Sequence, residues 1–188
     1  ELVINFYNER RKQLLDVEPN AGHIGLAELE KDFNVTVVTQ NVDNLHERAG
    51  STRIIHLHGE LTKVCSSRDP YNPRYVKELK PEEYEVKMGD KAGDGSQLRP
   101  FIVWFGEAVP EIETAIGYVE KADIFVIIGT SMNVYPAAGL LNYVPRTAEV
   151  YLIDPKPVDI HSMRRIHVIQ KGASEGVKEL QSLLFTPL

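Results

Sequence analysis

The 188-residue sequence predicts an α/β fold, an open parallel β-sheet with helices on both faces and a small inserted module. Segments with strand character alternate with helical segments, and three of the strands are almost entirely aliphatic, as in sheets covered on both sides. The stretch from Cys65 to Gln97 is instead turn-rich and charged, which predicts an insertion. We therefore assign residues 1–64 and 98–188 to the main domain and 65–97 to the module.

Composition limits the functional classes. Apolar residues make up 43% of the sequence and charged residues 26%, as in soluble globular proteins. No apolar run approaches the roughly 18 residues of a membrane span, and we expect no signal peptide. The net charge of −6 comes without a basic stripe, which argues against nucleic acid. A single cysteine, Cys65, excludes an internal disulfide and is compatible with a reducing cytoplasm.

The first predicted element is a helix from Glu1 to Asp16. One face of it carries five residues at helical spacing, Val3, Phe6, Tyr7, Arg10 and Leu14. Four of these suit a core, whereas Arg10 must find a carboxylate or reach water, because an unpaired buried charge is costly.

The other elements follow in order. A second helix begins after Asn20, which suits its N-cap. Strands are predicted for 35–39, 53–58, 101–105, 124–128, 149–153 and 166–169. Further helices are predicted after Pro81, over 110–121, after Pro136 and over 174–184. Ligands of such sheets bind beyond the carboxyl ends of the strands, which here are Gln40–Asn44, His58-Gly59 and Gly129–Ser131.

These strand exits carry residues suited to binding and catalysis. Gly129-Thr130-Ser131 could bring backbone and hydroxyl groups to a phosphate or ribose, although such turns often only end a strand. Gln40, Asn41 and Asp43 suit a ligand with amide and hydroxyl groups. An Asx turn that caps the next helix is the alternative for that segment. His58 could act as a base near neutral pH, although a lone histidine is more often structural.

Taken together, the motifs resemble those of the sirtuin family over nearly the whole chain. The matching runs, in order, are 39–46 (TQNVDNLH), His58-Gly59, 105–107 (FGE), 129–131 (GTS) and 134–139 (VYPAAG). The resemblance implies a Rossmann-like domain that uses NAD to remove acyl groups from protein lysines. The products would be free lysine, nicotinamide and an O-acyl-ADP-ribose.

The resemblance also implies roles for individual residues. The catalytic residues would be His58, as the base, and Asn41. The cofactor would be bound by Gln40, Asn41, Val42, Asp43, Gly129, Thr130, Ser131, Leu152, Ile153, Asp154 and Ala173, with the backbone of Leu152 making its contact. The substrate peptide would lie as an added strand between two segments that include Val103, Phe105, Gly106, Glu107, Val134 and Tyr135.

Tyr7 and Arg10 resemble the Tyr-x-x-Arg pair of sirtuins that remove acidic acyl groups. One helical turn apart, they could together bind the carboxylate of a succinyl, malonyl or glutaryl chain. A preference for acidic acyl groups is therefore expected, with acetyl as a possible further substrate. The alternative is that Arg10 pairs with an internal carboxylate.

The chain departs from the family pattern in two respects. Cys65 stands where the first of four zinc-binding cysteines would be, and no other follows, so we expect no metal and a module held by its own packing. The family's Gly-Ala-Gly phosphate loop lies upstream of the first helix and is not among these residues. We expect the loop to belong to the protein ahead of Glu1.

Two other functions remain open at this stage. NAD-dependent ADP-ribosyl transfer would use the same cofactor site but would not need Tyr7 and Arg10. A catalytically silent module that binds peptides would not need His58. For any of the three, a cytoplasmic location is expected.

Overall fold

The computed structural model describes residues 1–129, 137–157 and 165–185. Its helices are α1 (Leu2–Leu15), α2 (Ala21–Leu29), α3 (Leu45–Ala49), α4 (Ile112–Val119), α5 (Ala137–Leu140) and α6 (Ala173–Phe185). Its strands are β1 (Val37–Thr39), β2 (Ile54–His56), β3 (Gly59–Ser66), β4 (Lys77–Glu78), β5 (Leu98–Ile102), β6 (Ile124–Ile128), β7 (Glu149–Ile153) and β8 (His167–Ile169). Short 3₁₀ helices lie at Pro73–Tyr75, Pro81–Glu83 and Leu141–Tyr143. No helix in these ranges is long and apolar enough to cross a membrane.

The chain forms two compact units. The first contains residues 1–18, 39–45 and 56–110, and the second contains 19–38, 46–55 and 111–188. This division does not test the assignment of 65–97 as a module distinct from 1–64 and 98–188. That assignment stays a prediction.

The second unit contains the parallel sheet that the aliphatic strands predicted. Its strand order is β6-β7-β8, and all three strands run in the same direction. Alternating residues of β7 are buried on both faces, with Val150 and Leu152 on one and Tyr151 and Ile153 on the other. Because both faces of β7 are covered, the predicted α/β class is confirmed.

Helices α2 and α6 cover one face of this sheet. Leu29 from α2 and Val177 and Leu180 from α6 form one buried cluster with Tyr151 and Ile153. The start of α2 is set by Asn20, as predicted. Its side chain accepts hydrogen bonds from the amides of Gly22 (2.8 Å) and His23 (3.2 Å).

The first unit contains an antiparallel sheet of order β4-β3-β5, which differs from the prediction. The strand expected at 101–105 is β5, Leu98–Ile102, and it runs antiparallel to β3. β3 was not predicted as a strand. Its pairing with β5 shifts register between Gly59 and Val64, and such a bulge interrupts the alternation of buried and exposed residues by which a strand is recognised.

Helix α1 buries a face that shares only Leu14 with the predicted one. Ile4, Arg11 and Leu14 are buried, whereas Val3 and Phe6 are half-exposed and Arg10 is exposed. Arg11 can be buried because its guanidinium donates to the carbonyl of Leu61 (2.8 Å) and to the side chain of Asn8 (3.0 Å). Burial lowers the pKa of Arg11 to about 10. The core-facing arginine of this helix is therefore Arg11, and Arg10 is left facing outward.

Candidate active site

The polar segment after β1 is fixed against β2 and β3 by three hydrogen bonds. The amide of Leu57 donates to the carbonyl of Thr39 (2.9 Å), and the amide of Leu61 donates to the carbonyl of Val42 (2.7 Å). Nδ1 of His56 lies 3.2 Å from the carbonyl oxygen of Asn41. These contacts hold the four predicted cofactor residues 40–43 beside the strands that lead into and out of His58.

Within this segment, Asp43 has the structural role that the Asx-turn alternative described. Its Oδ1 accepts a hydrogen bond from the amide of Leu45 (3.0 Å), the first residue of α3. Gln40 is different, because its Nε2 is buried and has no hydrogen-bond partner within 1–129, 137–157 or 165–185. A buried amide without a partner costs about 1–3 kcal/mol, so this position suits a ligand that brings an acceptor.

His58 lies in the short connection between β2 and β3. Its carbonyl accepts a hydrogen bond from the amide of Val103 (2.9 Å), and Gly59 after it has φ +84°. A Cβ at Gly59 would overlap the backbone of Phe101, so only glycine allows β3 to pack this closely on β5. The imidazole of His58 is partly exposed and makes no hydrogen bond within the part of the chain that the structure describes.

The predicted peptide segment begins at Val103 and continues as a tight turn. The amide of Glu107 donates to the carbonyl of Trp104 (3.0 Å), and Gly106 has φ +88°. Phe105 is fully exposed at the tip of the turn. The hydrogen bond between Val103 and His58 thus places the start of this segment next to the candidate base.

Glu107 is held by partners that the sequence did not reveal. Its carboxylate binds both terminal nitrogens of Arg99, at 2.7 and 2.9 Å, and also accepts from the amide of Trp104 (2.9 Å). The hydroxyl of Tyr71 donates to the same carboxylate at 3.1 Å. Hydrogen bonds from Arg99, ahead of the other contacts, lower the pKa of Glu107 to about 2. Glu107 is therefore ionised at neutral pH.

Sequence reasoning missed Arg99, although a signal was available. A buried arginine stands in β5 between Leu98 and Pro100, and a position of this kind requires an acidic partner or carbonyl groups. An acidic residue, Glu107, follows eight positions later and provides that partner.

Further residues that the sequence predicts to bind the cofactor belong to the second unit. Gly129 ends β6 with φ +61°, and its amide donates to the carbonyl of Ile153 (2.9 Å). The side chains of Leu152 and Ile153 are fully buried, and Oδ1 of Asp154 accepts from the amide of Lys156 (2.8 Å). Ala173 is the exposed first residue of α6. Thr130, Ser131, Val134 and Tyr135 lie outside the described residues.

Tyr7 and Arg10 lie on the outward side of α1. Arg10 donates to the side chain of Gln13 (3.2 Å), and its guanidinium lies 5.2 Å from the centre of the Phe6 ring. Tyr7 lines an open pocket of about 420 Å³, together with Leu2, Val3, Phe6 and Trp104. Because Trp104 belongs to the predicted peptide segment, this pocket joins the helix that carries Tyr7 and Arg10 to that segment.

The module does not offer a zinc ligand set. Cys65 is fully buried, its sulfur lies 3.7 Å from the carbonyl oxygen of Pro100, and burial raises the pKa of its thiol to about 11. Ser66 beside it donates to Asp94 (2.6 Å) and lies 2.9 Å from the hydroxyl of Ser96. We call Ser66, Asp94 and Ser96 the serine–aspartate clasp. A buried neutral thiol next to hydroxyl groups does not fit tetrahedral zinc.

A parallel α/β sheet with polar residues and glycines at its strand exits is typical of nucleotide-binding proteins, and the comparisons specify the family. Residues 2–136 match the model of the Sir2 family. The chain is 85% identical over 183 residues to the NAD-dependent protein deacylase of Bacteroides thetaiotaomicron, covering 97% of this chain and 78% of that protein.

Two solved structures are similar to this chain over most of its length. A Sir2 homologue in complex with NAD matches with a TM-score of 0.80 and 33% identity, over 96% of this chain and 72% of that one. A complex described as Sir2, p53 peptide and NAD⁺ matches with a TM-score of 0.73 and 29% identity, over 91% of this chain and 72% of that one. The chain belongs to the Sir2 family of NAD-dependent protein deacylases.

Proposed function

We propose that this protein removes acyl groups from lysine side chains of other proteins, consuming NAD and releasing nicotinamide and an O-acyl-ADP-ribose. The observation that carries this proposal is the hydrogen bond from the amide of Val103 to the carbonyl of His58 (2.9 Å). It joins the segment expected to bind the peptide to the residue expected to act as the base.

The residues at both strand exits fit NAD. In the first unit, the unpartnered Nε2 of Gln40 and the exposed side chain of Asn41 would hold nicotinamide and its ribose, together with Asp43. In the second unit, Gly129, Asp154 and Ala173 would meet the adenosine side. NAD, when bound, supplies an electrophilic ribose carbon and nicotinamide as a leaving group.

His58 would act by moving a proton. Its imidazole makes no hydrogen bond within the described ranges, so a ring nitrogen is available to accept one. The ring is only partly exposed, and the carbonyl of His58 is held by the amide of Val103, the residue that follows β5. General-base catalysis by a positioned histidine contributes about 10²–10⁴ in rate.

We further propose that acidic acyl groups, such as succinyl, malonyl and glutaryl, are preferred to acetyl. Arg10 faces outward and has no acidic partner among the described residues, which removes the main reason to regard it as structural. Tyr7, one turn earlier, lines the open pocket to which Trp104 of the peptide segment also contributes. An acyl chain in this pocket would carry its carboxylate toward an available guanidinium and a phenol hydroxyl.

The proposed partners are proteins that carry acylated lysines, and the proposed location is the cytoplasm. A peptide that lies as an added strand is read mainly through its backbone, so many protein targets can share the site. The single cysteine of these residues is buried and unpaired, which is compatible with a reducing compartment.

The test uses the full-length protein with NAD and matched acetyl-lysine and succinyl-lysine peptides, followed by mass spectrometry of peptide and nicotinamide. Loss of the acyl group, with one nicotinamide formed per acyl removed, supports the proposal. His58→Ala should reduce turnover by about 10²–10⁴. His167→Ala, which changes a histidine of β8 outside the site, is the matched control and should remain active. Nicotinamide release without acyl loss would instead indicate ADP-ribosyl transfer, and neither product would indicate a binding module.

A further inference from the structure

The turn of the peptide segment is held by a carboxylate whose two oxygens are both occupied. Oε1 of Glu107 binds Arg99, and Oε2 binds Arg99, the amide of Trp104 and the hydroxyl of Tyr71. Glu107 also has its own amide bonded to the carbonyl of Trp104, which closes the turn. The carboxylate is therefore held in the turn through both of its oxygens.

We propose that Arg99 and Tyr71 are positioning residues for the acylated peptide. They hold Glu107, and Glu107 in turn holds the turn at 104–107 that is expected to contact the peptide. This inference rests on the proposed function, since it assigns the peptide to the Val103 segment. It adds to the expected substrate contact of Glu107 a second role, the support of the neighbouring residues of the turn.

Arg99 is suited to this role by its shape. Its guanidinium lies 3.7 Å from the centre of the Trp104 ring while it binds Glu107 with both terminal nitrogens. One of those nitrogens also donates to the carbonyl of Ile102 (2.7 Å) at the end of β5. A planar guanidinium can bind the carboxylate, the carbonyl and the ring face together, whereas a lysine ammonium cannot reproduce that geometry.

Tyr71 brings the predicted module into contact with the turn. Its ring packs edge-on against Phe101, with the ring centres 6.5 Å apart. Its hydroxyl reaches Glu107 at 3.1 Å and the carbonyl of Ala108 at 3.5 Å. Burial, followed by the charge of Glu107, raises the pKa of Tyr71, so the hydroxyl keeps its proton and remains a donor. Residues 65–97 thereby contribute to the geometry of the peptide segment without touching the peptide.

The experiment compares Tyr71→Phe and Arg99→Lys with wild type in the full-length protein. Tyr71→Phe keeps the ring and removes only the hydroxyl. Tyr75→Phe is the matched control, because it removes a hydroxyl in the same stretch that has no hydrogen-bond partner within the described residues. The measurements are peptide KM, NAD KM, kcat, melting temperature, and the change in tryptophan emission on adding peptide. Trp104 is the single tryptophan of the 188 residues.

We expect Tyr71→Phe to raise peptide KM about three- to tenfold, as for loss of one partly exposed hydrogen bond to a charged group. NAD KM and kcat should stay within about twofold of wild type. Arg99→Lys should raise peptide KM further and shift the emission of Trp104 before peptide is added. Tyr75→Phe should behave as wild type in every measurement.

Two outcomes would overturn the inference. Peptide KM within twofold of wild type in both variants would show that the turn does not need these residues. Equal increases in NAD KM and peptide KM, together with a lower melting temperature, would show a purely structural role. A wild-type protein that removes no acyl group refutes the proposed function separately, and the emission titration with peptide would still test the role of the turn. If wild type neither turns over nor binds the peptide, both proposals fail.

Discussion

The backbone of Phe101 occupies the space into which any side chain at Gly59 would have to project. Gly59 is the residue that follows His58, and it pairs with Ile102 of β5. Its φ of +84° is itself one that side chains disfavour. The glycine of the His-Gly pair is thus required by the approach of two strands, and that approach also fixes the backbone of His58.

Gly59→Ala should therefore destabilise the protein and impair catalysis. The overlap with Phe101 and the left-handed backbone together should cost roughly 2–4 kcal/mol of unfolding free energy, measured by urea denaturation. Gly89→Ala is the control, because Gly89 has φ +101° but open space around the added Cβ. It should cost only about 1 kcal/mol. Equal losses in the two variants would show that the strand contact is unimportant.

Arg10→Met should selectively reduce removal of succinyl groups. Loss of a hydrogen-bonded charge that binds the acyl carboxylate should lower kcat/KM for succinyl-lysine peptides about ten- to hundredfold, with little change for acetyl-lysine. Lys12→Met removes an exposed charge from the same helix and should leave both substrates unaffected. If Arg10→Met reduces both substrates equally, or neither, the carboxylate contact is refuted.

The serine–aspartate clasp should make stability depend on pH in the acid range. Hydrogen bonds from Ser66, followed by those from Ser96, lower the pKa of Asp94 from 3.8 to about 2. Because the folded-state pKa is below the unfolded one, the clasp stabilises the protein fully above about pH 4. That contribution should be lost as pH falls from about 4 to 2.

Thermal melts of wild type and Asp94→Asn between pH 6 and pH 2 would test this expectation. The two melting temperatures should differ at pH 6 and converge toward pH 2. Glu82→Gln, which removes an exposed carboxylate from the 3₁₀ helix at Pro81–Glu83, should follow wild type throughout. A difference between wild type and Asp94→Asn that stays constant over this range would contradict the predicted linkage.

Two helical glycines should respond to alanine in opposite directions. A Cβ at Gly176 in α6 would overlap the side chain of Ile153 in β7, so Gly176→Ala should cost about 1–3 kcal/mol. A Cβ at Gly117 in α4 meets open space, so Gly117→Ala should add about 0.5–1 kcal/mol through helix propensity. Urea denaturation of both variants measures whether each substitution lowers or raises the unfolding free energy. Stabilisation by both would mean that α6 does not pack tightly on the sheet.

Local sequence patterns were sufficient to predict the strands of the parallel sheet. β6 and β7 begin and end where the aliphatic runs predicted, and α6 is correct to within one residue at each end. β7 is buried on two faces and β6 is partly buried, and their aliphatic composition identifies both strands. The same patterns failed for α1, because two neighbouring faces of that helix carry apolar residues at helical spacing. Only the contacts with Leu61 and Asn8 determine that Arg11 is the arginine on the buried face.

Long-range polar contacts were not predictable in this way. The residues of the candidate site were located from strand exits and from family resemblance, but the partners that hold them come from distant parts of the chain. Tyr71 lies 36 positions from Glu107, and Ser66 lies 28 positions from Asp94. No local periodicity reports such pairs, because a periodic pattern relates only residues that are close together in the sequence.

The burial of Cys65 has a consequence for how this protein tolerates reactive chemicals. With a pKa of about 11, fewer than roughly one in a thousand of these thiols is ionised at neutral pH, and the sulfur is closed off from solvent. Peroxide and alkylating reagents act on exposed thiolates, so they would not reach this sulfur until the antiparallel sheet opens. A module held by serine and aspartate would therefore keep its shape through oxidative stress that strips metal from cysteine clusters.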